Sequence, residues 1–346
     1  MIRLLIPFLI VMIVAQSPAA TAIFARKHLE PFTIIQIGDM HGGSSPIVSG
    51  VAGVSFTNSI NWIVNNREAM NIKMLISAGD CYEQRQNGIL SQVARETIPI
   101  VLKEIQDTGI SVFVCPGNHD ADDDTATILW NTQFPTNWFT NDPSFYTTRT
   151  NDDSRDLVFR QTNSGMKFLI IGYRWHGTQE GLSSEAEVWT NYYDPTQWIK
   201  DEAALLPDHQ VIVVAHYFVN EDGELATEDD AGGYPFVGPG LAGWEQGLNE
   251  IPNMLMGVCG HTRTTAATVK FYHSEDTHRV PFLKFNTQSA FNLGFGTNGG
   301  SFKVYTFIPD ERQIHAQTYS TDFGRYLTNG EWGATHDFYI PWKYVD

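Results

Sequence analysis

The chain has 346 residues, a formal net charge of −17 and three cysteines. Its length is sufficient for one large hydrophobic core, or for two smaller ones. Because the chain is strongly acidic and contains no cluster of lysine and arginine, we expect neither nucleic acid nor an anionic membrane as a partner.

The first 22 residues have the pattern of a secretory signal peptide. Arg3 supplies a positive charge, an apolar run extends from Leu4 to Ala15, and Ala20-Thr21-Ala22 offers a cleavage site of small residues. The apolar run is shorter than the about 20 residues that a membrane-spanning helix needs. We therefore expect residues 1–22 to be removed and residues 23–346 to form the mature domain. Such a protein would be secreted or periplasmic, without stable membrane insertion.

Buried strands alternate with helices in the first part of the chain. The first strand begins at Thr33 and ends in Asp39-Met40-His41, the second covers residues 74–80, and the third begins at Val112 and leads into the sequence 116–120. Helices are predicted over residues 59–71 and 89–106, the second kinked by its internal proline. This alternation is typical of an α/β fold.

The second part of the chain continues the same pattern. Asp194 and Pro195 have the composition of a helix start, and this helix is predicted to continue to Leu205. Strands are predicted at residues 166–173, 210–216, 254–261, 267–272, 280–285, 301–307 and 313–319. No internal repeat or linker in the sequence suggests a second domain.

Two long segments lack periodicity. Residues 121–156 are polar but contain six aromatic residues, which either pack the segment onto the body of the protein or form the wall of a substrate pocket. Residues 220–240 are acidic and rich in glycine. We favour a solvated surface loop here; a loop that closes over the site and selects a substrate with a cationic part is the alternative.

Several of the apolar strands end in a polar side chain that could bind metal. These side chains are Asp39, His41, Asp80, Asn118, His119, Asp120, His216 and His261. Because these side chains follow five separate buried strands, we expect one sheet edge to bring them together. Carboxylates, imidazoles and an amide are the ligands that borderline divalent metals accept. Two such metals about 3.5–4 Å apart can stabilise both the entering and the leaving oxygen in a displacement at phosphorus.

The chemistry of such a site assigns different roles to its residues. Asp80 lies in the middle of the set and is the natural bridge between two cations. Water held between the metals would lose a proton near neutral pH and attack phosphorus in line. His119 could protonate the departing alkoxide, with Asp120 orienting its imidazolium and raising its pKa. A single histidine or Gly-Asp pair is more often structural, but five such strand ends make coincidence a poor explanation.

The ordered motifs resemble those of the calcineurin-like metallophosphoesterases. They are Asp39-x-His41, Gly79-Asp80, Gly117-Asn118-His119-Asp120, His216 and Gly260-His261. The resemblance implies a four-layer α-β-β-α sandwich of two mixed β-sheets flanked by helices, with a dinuclear metal site. It further implies that Asp39, His41 and Asp80 hold one metal, that Asp80, Asn118, His216 and His261 hold the other, and that His119 is the proton donor.

The sequence departs from the family pattern at two positions. Family members commonly have a second histidine where this chain has Arg263, and a guanidinium offers no lone pair to a metal. The first metal could then take another water, bind weakly or be absent, with Arg263 contacting phosphoryl oxygens; alternatively Arg263 points to solvent. Purple acid phosphatases of this superfamily have a tyrosine where this chain has Glu83. We therefore expect Mn, Zn or Fe(II) and no Fe(III)–tyrosinate centre.

Taken together, these features predict a secreted metal-dependent phosphoesterase that hydrolyses phosphomonoester or phosphodiester bonds of a small substrate. The alternative is a secreted, non-catalytic protein that binds metal or a phosphorylated ligand on the same fold. Cys81, Cys115 and Cys259 all lie at the ends of apolar strands. We favour three buried free thiols, with a bridge between Cys81 and Cys115 as the alternative.

Overall fold

The computed structural model describes residues 28–40, 52–81, 89–117, 120, 132–150, 155–173, 185–227, 240–262, 267–275, 278–286 and 300–341. The helices in these ranges are α1 (Ala52–Asn65), α2 (Ile89–Asp107), α3 (Thr136–Thr140), α4 (Glu185–Leu205) and α5 (Gly240–Glu245). The strands are β1 (Phe32–Ile37), β2 (Ile72–Ser77), β3 (Ser111–Val114), β4 (Phe145–Thr150), β5 (Arg155–Asn163), β6 (Met166–Gly172), β7 (Gln210–Val214), β8 (Met254–Cys259), β9 (Ala267–His273), β10 (Arg279–Phe285), β11 (Ser301–Ile308), β12 (Gln313–Ser320), β13 (Arg325–Tyr326) and β14 (Asp337–Pro341).

The strands form two mixed sheets. The first sheet has the order β13-β12-β11-β1-β2-β3, with β14 also paired to β12, and its strands β1, β2 and β3 are parallel. The second sheet has the order β4-β5-β6-β7-β8-β10-β9, and β6, β7, β8 and β10 are parallel. Within each parallel set the carboxyl ends of the strands meet at one edge, as the βαβ connections require.

Aromatic side chains join the two sheets face to face. Phe32 of β1 contacts Phe168 of β6 with ring centroids 5.4 Å apart, and Phe113 of β3 contacts Phe159 of β5 at 5.1 Å. All four side chains are fully buried, and burying such rings dominates the energetics of a core. The space between the sheets is therefore the main hydrophobic core of the protein.

Helices cover the outer faces of the sheets. On the first sheet, Trp62 of α1 packs on Phe302 and Tyr319. On the second sheet, Trp244 of α5 packs on Phe282, and Ile199 of α4 belongs to the same outer core. The predicted four-layer α-β-β-α sandwich of two mixed sheets is confirmed.

The predicted bounds of two helices are wrong, and one segment without a predicted structure proves to be regular. Helix α1 is Ala52–Asn65, so it both begins and ends before the predicted bounds of 59–71; the Asn66 side chain then donates a hydrogen bond to the Trp62 carbonyl and a turn follows. Helix α4 begins at Glu185 and passes through Pro195, so the Asp194-Pro195 start signal lies inside a longer helix. The segment 121–156, in which the sequence shows no periodicity, contains α3, β4 and the start of β5.

Within the described ranges, none of the helices combines the length and the apolar character that crossing a membrane requires.

Candidate metal centre

The candidate site lies where the parallel strands of both sheets end. Asp39 and Asp80 follow β1 and β2 of the first sheet, whereas His216 and His261 follow β7 and β8 of the second. The prediction that a single sheet edge brings these residues together is wrong. The carboxyl edges of both sheets contribute to the site. Each sheet therefore supplies part of the site, because the sheets pack with their carboxyl ends side by side.

Three of the site residues have an unusual backbone. Asp39, Asp80 and His261 have φ angles of 51°, 52° and 68°, in the left-handed region that most side chains avoid. Such residues persist only where the surrounding structure holds them, and they cluster at functional sites.

Glycines next to these residues allow the close approach of the chain segments. A Cβ atom on Gly117 would lie 2.3 Å from Oδ1 of Asp80 and 2.9 Å from Nδ1 of His216. A Cβ atom on Gly260 would lie 2.3 Å from Oδ2 of Asp39. All three distances are shorter than real Cβ contacts, so the glycines of the Gly-Asn and Gly-His motifs are required by packing.

Three ligand groups converge between the sheets. The Nε2 atom of His216 lies 3.2 Å from Oδ2 of Asp80 and 3.0 Å from Nδ1 of His261. One ligand atom from each residue lies within 4.8 Å of the other two. Nitrogen and oxygen atoms that bind one divalent ion at 2.0–2.2 Å lie roughly 3 Å from one another. The spacing of these three groups fits a single bound cation.

The hydrogen bonds of His216 leave its ligating nitrogen directed at the site. Its Nδ1 atom lies 2.8 Å from the Ala78 carbonyl oxygen, which only accepts, so Nδ1 carries the proton. The Nε2 lone pair then faces the Asp80 carboxylate, and two acceptors at this distance need a cation or a proton between them. A histidine oriented by a backbone carbonyl is typical of metal ligands.

The electrostatics of the site favour a positive charge at this place. Burial opposes protonation of His216, but the carboxylates of Asp80 and Asp39 and the Ala78 carbonyl outweigh it and raise the pKa of His216 to about 9. The same carboxylates would stabilise a metal cation beside the imidazole. The donor set and its charge therefore fit a divalent metal.

Asp39 lies against the backbone of the second sheet. Its two carboxylate oxygens accept a hydrogen bond from the His261 amide at 3.2 and 3.0 Å, and its side chain is buried. This contact ties the end of β1 to the end of β8. Asp39 is thus brought beside the three converging residues, where the resemblance places the ligands of the other metal.

The remaining site predictions are only partly covered by the structure. Asp120 is fully buried, and its Oδ2 atom accepts a hydrogen bond of 2.8 Å from the Gly117 amide. This bond joins the first and the last residue of the Gly117-Asn118-His119-Asp120 motif. The predicted residues His41, Asn118, His119 and Arg263 lie outside the described residues, as does Glu83.

Two buried amide side chains support the site and were missed from the sequence. Gln36 of β1 donates to the Cys259 carbonyl at 2.8 Å and accepts from the Tyr305 hydroxyl at 2.6 Å, which connects the two sheets beneath the site. Asn286, which follows β10, donates to the His261 carbonyl at 2.8 Å. Asn286 has the signal used for the other residues, a polar side chain directly after a buried strand.

The two segments without periodicity contact the body of the protein in different ways. Phe134, Trp138 and Phe139 of the aromatic segment are buried in the core, so these rings pack the segment onto the body and are not a pocket wall. In the acidic segment, Glu224 accepts a hydrogen bond from the Tyr272 hydroxyl at 2.9 Å and pairs with Lys270. The described part of that loop is thus fastened to β9.

The three cysteines are free and buried, which confirms the favoured prediction. Burial raises the pKa of Cys259 to about 11 and that of Cys81 well above its ordinary value. Their thiols are therefore protonated at neutral pH and unsuited to binding metal or acting as nucleophiles.

The sequence model of the calcineurin-like phosphoesterase family matches residues 32–262, more than half of the chain. The chain belongs to the calcineurin-like phosphoesterase family. The match begins at β1 and ends just after His261, so it includes all the described site residues from Asp39 to His261. No curated protein sequence matches the chain.

Solved structures with a similar fold include two phosphatases. A dimetal phosphatase from Danio rerio has a TM-score of 0.53 and 11% sequence identity, over 91% of this chain and 100% of that chain. The purple acid phosphatase PPD1 from yellow lupin (Lupinus luteus) seeds has a TM-score of 0.53 and 14% identity, over 90% of this chain and 54% of that chain. At such identities the likeness shows the fold alone.

Proposed function

We propose that this protein is a secreted metal-dependent phosphoesterase that hydrolyses a phosphomonoester or phosphodiester bond of a small substrate. The observation that carries the proposal is the convergence of Asp80, His216 and His261 from two sheets in a chain of this family. Its donor set suits Mn, Zn or Fe(II). Divalent ions bound there would supply an activated water near neutral pH and charge neutralisation at the phosphoryl group.

Different residues of the chain would bind each of the two ions. Asp80 is fully buried between the sheets and would be shared by both ions, with His216 and His261 completing one shell together with Asn118. Asp39 and His41 would belong to the other shell. Because Asp39 already accepts the His261 amide, the two shells are mechanically connected.

In this proposal His119 donates a proton to the leaving group. The alkoxide that departs from phosphorus needs a proton, and an imidazole is the side chain best suited to give one near neutral pH. Asp120 would hold that imidazole in orientation. Its carboxylate is fixed by the Gly117 amide and shielded from water, which keeps the orientation stable.

Arg263 makes this chain different from the usual family pattern. It replaces a neutral imidazole ligand by a permanent cation, so the ion held by Asp39 and His41 loses one protein ligand. We expect the two ions to bind with unequal affinity, and we assign Arg263 to the phosphoryl oxygens, which a guanidinium can contact through two parallel hydrogen bonds. This arrangement also motivates the alternative of a phospho-ligand-binding protein without turnover.

The signal-peptide pattern and the net charge of the chain support a proposed location and a proposed class of substrate. Residues 1–22 would direct secretion or periplasmic export, and the acidic surface disfavours nucleic acid as substrate. Expression of the full chain, followed by N-terminal sequencing of the exported protein, tests this part. A new N-terminus at Ile23 is the expected result.

Hydrolysis of p-nitrophenyl phosphate and of bis(p-nitrophenyl) phosphate with added Mn²⁺ tests the activity. The comparison is wild type against Asp80→Asn, with Asp107→Asn as the matched control on an exposed helix surface. We expect wild type and Asp107→Asn to turn over at least one ester and Asp80→Asn to lose about 100-fold or more of that rate. Equal rates in Asp80→Asn and wild type would overturn the assignment. Calorimetric binding of phosphate without turnover would favour the non-catalytic alternative.

A further inference from the structure

Asn286 is a buried polar residue beside the metal centre that the proposed mechanism does not use. It follows β10, which runs parallel to β8, so both strands end at the same edge of the second sheet. Its side chain is fully buried, and its Nδ2 atom donates a hydrogen bond of 2.8 Å to the His261 carbonyl.

The partner of Asn286, His261, is held through both of its peptide groups. His261 has a left-handed backbone, which is strained for a side chain with a Cβ atom and must be compensated by its surroundings. Its amide donates to Asp39, and its carbonyl accepts from Asn286. The two peptide groups on either side of the His261 Cα atom are therefore held by two side chains from different sheets.

Holding both peptide groups fixes the direction of the imidazole. With the backbone set, the Nδ1 atom of His261 lies 3.0 Å from Nε2 of His216. A change of the backbone from the left-handed to an extended conformation would turn the side chain away from this position. The hydrogen bond from Asn286 opposes that change, because the carbonyl would leave its donor.

We propose that Asn286 is a positioning residue that keeps His261 in its metal-binding orientation. This inference rests on the proposed function, because it assumes that Asp80, His216 and His261 bind a metal. Asn286 acts through the backbone of His261 and contributes no ligand atom itself. Residues that orient ligands in this way typically affect metal affinity by about 10–100-fold.

The chain offers a matched control for this role. Asn253 is also buried, and its Nδ2 atom donates to a backbone carbonyl, that of His209, at 2.7 Å. It lies directly before β8, whereas His261 follows the other end of that strand. Asn286→Leu and Asn253→Leu therefore remove the same kind of hydrogen bond at opposite ends of β8. Leucine has a similar branched shape and adds no charge that could itself attract the metal.

The experiment titrates Mn²⁺ into the metal-free full mature protein and its variants by calorimetry, and it records the visible spectrum of the Co²⁺ forms. We expect Asn286→Leu to weaken the tighter Mn²⁺ binding step by about tenfold or more and to change the Co²⁺ spectrum. Asn253→Leu should lower the thermal stability and leave both metal readouts as in wild type. Asn286→Ala is the second variant, because its smaller side chain fits the buried position.

The possible outcomes separate this inference from the proposed function. If wild type binds Mn²⁺ and the Asn286 variants bind it equally well, the positioning role is wrong and the metal centre stands. If wild type binds no divalent metal, the proposed function and the positioning role fail together. Failure of both Asn286 variants to fold, with Asn253→Leu folded, would show that Asn286 serves stability and would also overturn the inference.

Discussion

The Nε2 atom of His216 lies 3.2 Å from Oδ2 of Asp80, and these two residues follow strands of different sheets. The site therefore depends on the packing of one sheet against the other. Gln36 and Asp39 make further polar connections across that interface, to the Cys259 carbonyl and to the His261 amide. Substitutions that alter the spacing between the two sheets should therefore alter the geometry of the metal centre.

Gly260→Ala should weaken metal binding by displacing Asp39. The added Cβ atom would lie 2.3 Å from Oδ2 of Asp39, so the carboxylate must move away from the His261 amide. We expect Mn²⁺ affinity to fall by about tenfold or more, with a loss of stability of about 1–3 kcal/mol. Calorimetric metal titration and urea unfolding measure the two effects.

Gly300→Ala is the control for that variant. Its Cβ atom would also lie 2.3 Å from a carboxylate oxygen, Oδ2 of Asp322, which is exposed and can move into solvent. We expect a smaller loss of stability and unchanged Mn²⁺ affinity. If both variants reduced metal affinity alike, the contact between Gly260 and Asp39 would have no specific role in the site.

Arg263→His should restore the usual family ligand. A neutral imidazole would complete the shell that the proposed function assigns to Asp39 and His41, so the weaker of two Mn²⁺ binding steps should tighten by about tenfold or more. Arg263→Gln is the control, because it removes the charge without adding an imidazole. Equal tightening in both variants would mean that repulsion by Arg263, and not the missing ligand, weakens that step.

The sequence was sufficient to place the candidate site because each site residue follows a buried strand. Strands such as β1 and β8 are mostly apolar and buried along their whole length, and the polar residues that follow their ends stand out from this pattern. The motifs with Asp80 and His261 begin with glycines, which the structure explains by the close approach of chain segments. Composition and strand order thus carry most of the fold and the location of the site.

The remaining features depend on contacts that a single sequence does not display. Asn286 has the same position after a strand as His261, but its role is visible only once β8 and β10 are known to be neighbours. The division of the site between two sheets likewise follows from packing, since each strand end looks alike in the sequence. The predicted start of α4 at Asp194 is wrong because an Asp-Pro pair inside a long helix has the same sequence pattern as the beginning of a helix.

Stability should decrease as pH falls from about 6.5 to about 4, in part because of His336. Burial, with the nearby positive charge of Lys303, lowers the pKa of His336 to about 4 in the folded protein. An unfolded histidine has a pKa near 6.5, so in this interval the unfolded state binds more protons. One such group contributes at most about 1.4 kcal/mol per pH unit.

Urea unfolding of the metal-free protein between pH 4 and 8 measures this effect. The neutral form of His336 satisfies both of its hydrogen bonds: Nε2 donates to the Glu331 carbonyl at 2.9 Å, and Nδ1 accepts from the Thr318 hydroxyl at 2.9 Å. His336→Gln keeps an amide in this place and cannot be protonated. We expect the variant to have a flatter pH profile below pH 6.5, and parallel profiles would contradict the prediction.

The cysteines should be unreactive in the folded protein and all free after unfolding. At pH 8 a thiol with a pKa of about 11, as burial gives Cys259, is ionised in about one molecule in a thousand. The Cys115 thiol also donates to the Tyr173 carbonyl at 3.1 Å and is buried between strands. We expect no alkylation by a maleimide in native protein and three additions by mass spectrometry in guanidinium without reductant. A single addition under those denaturing conditions would instead indicate a bridge between Cys81 and Cys115.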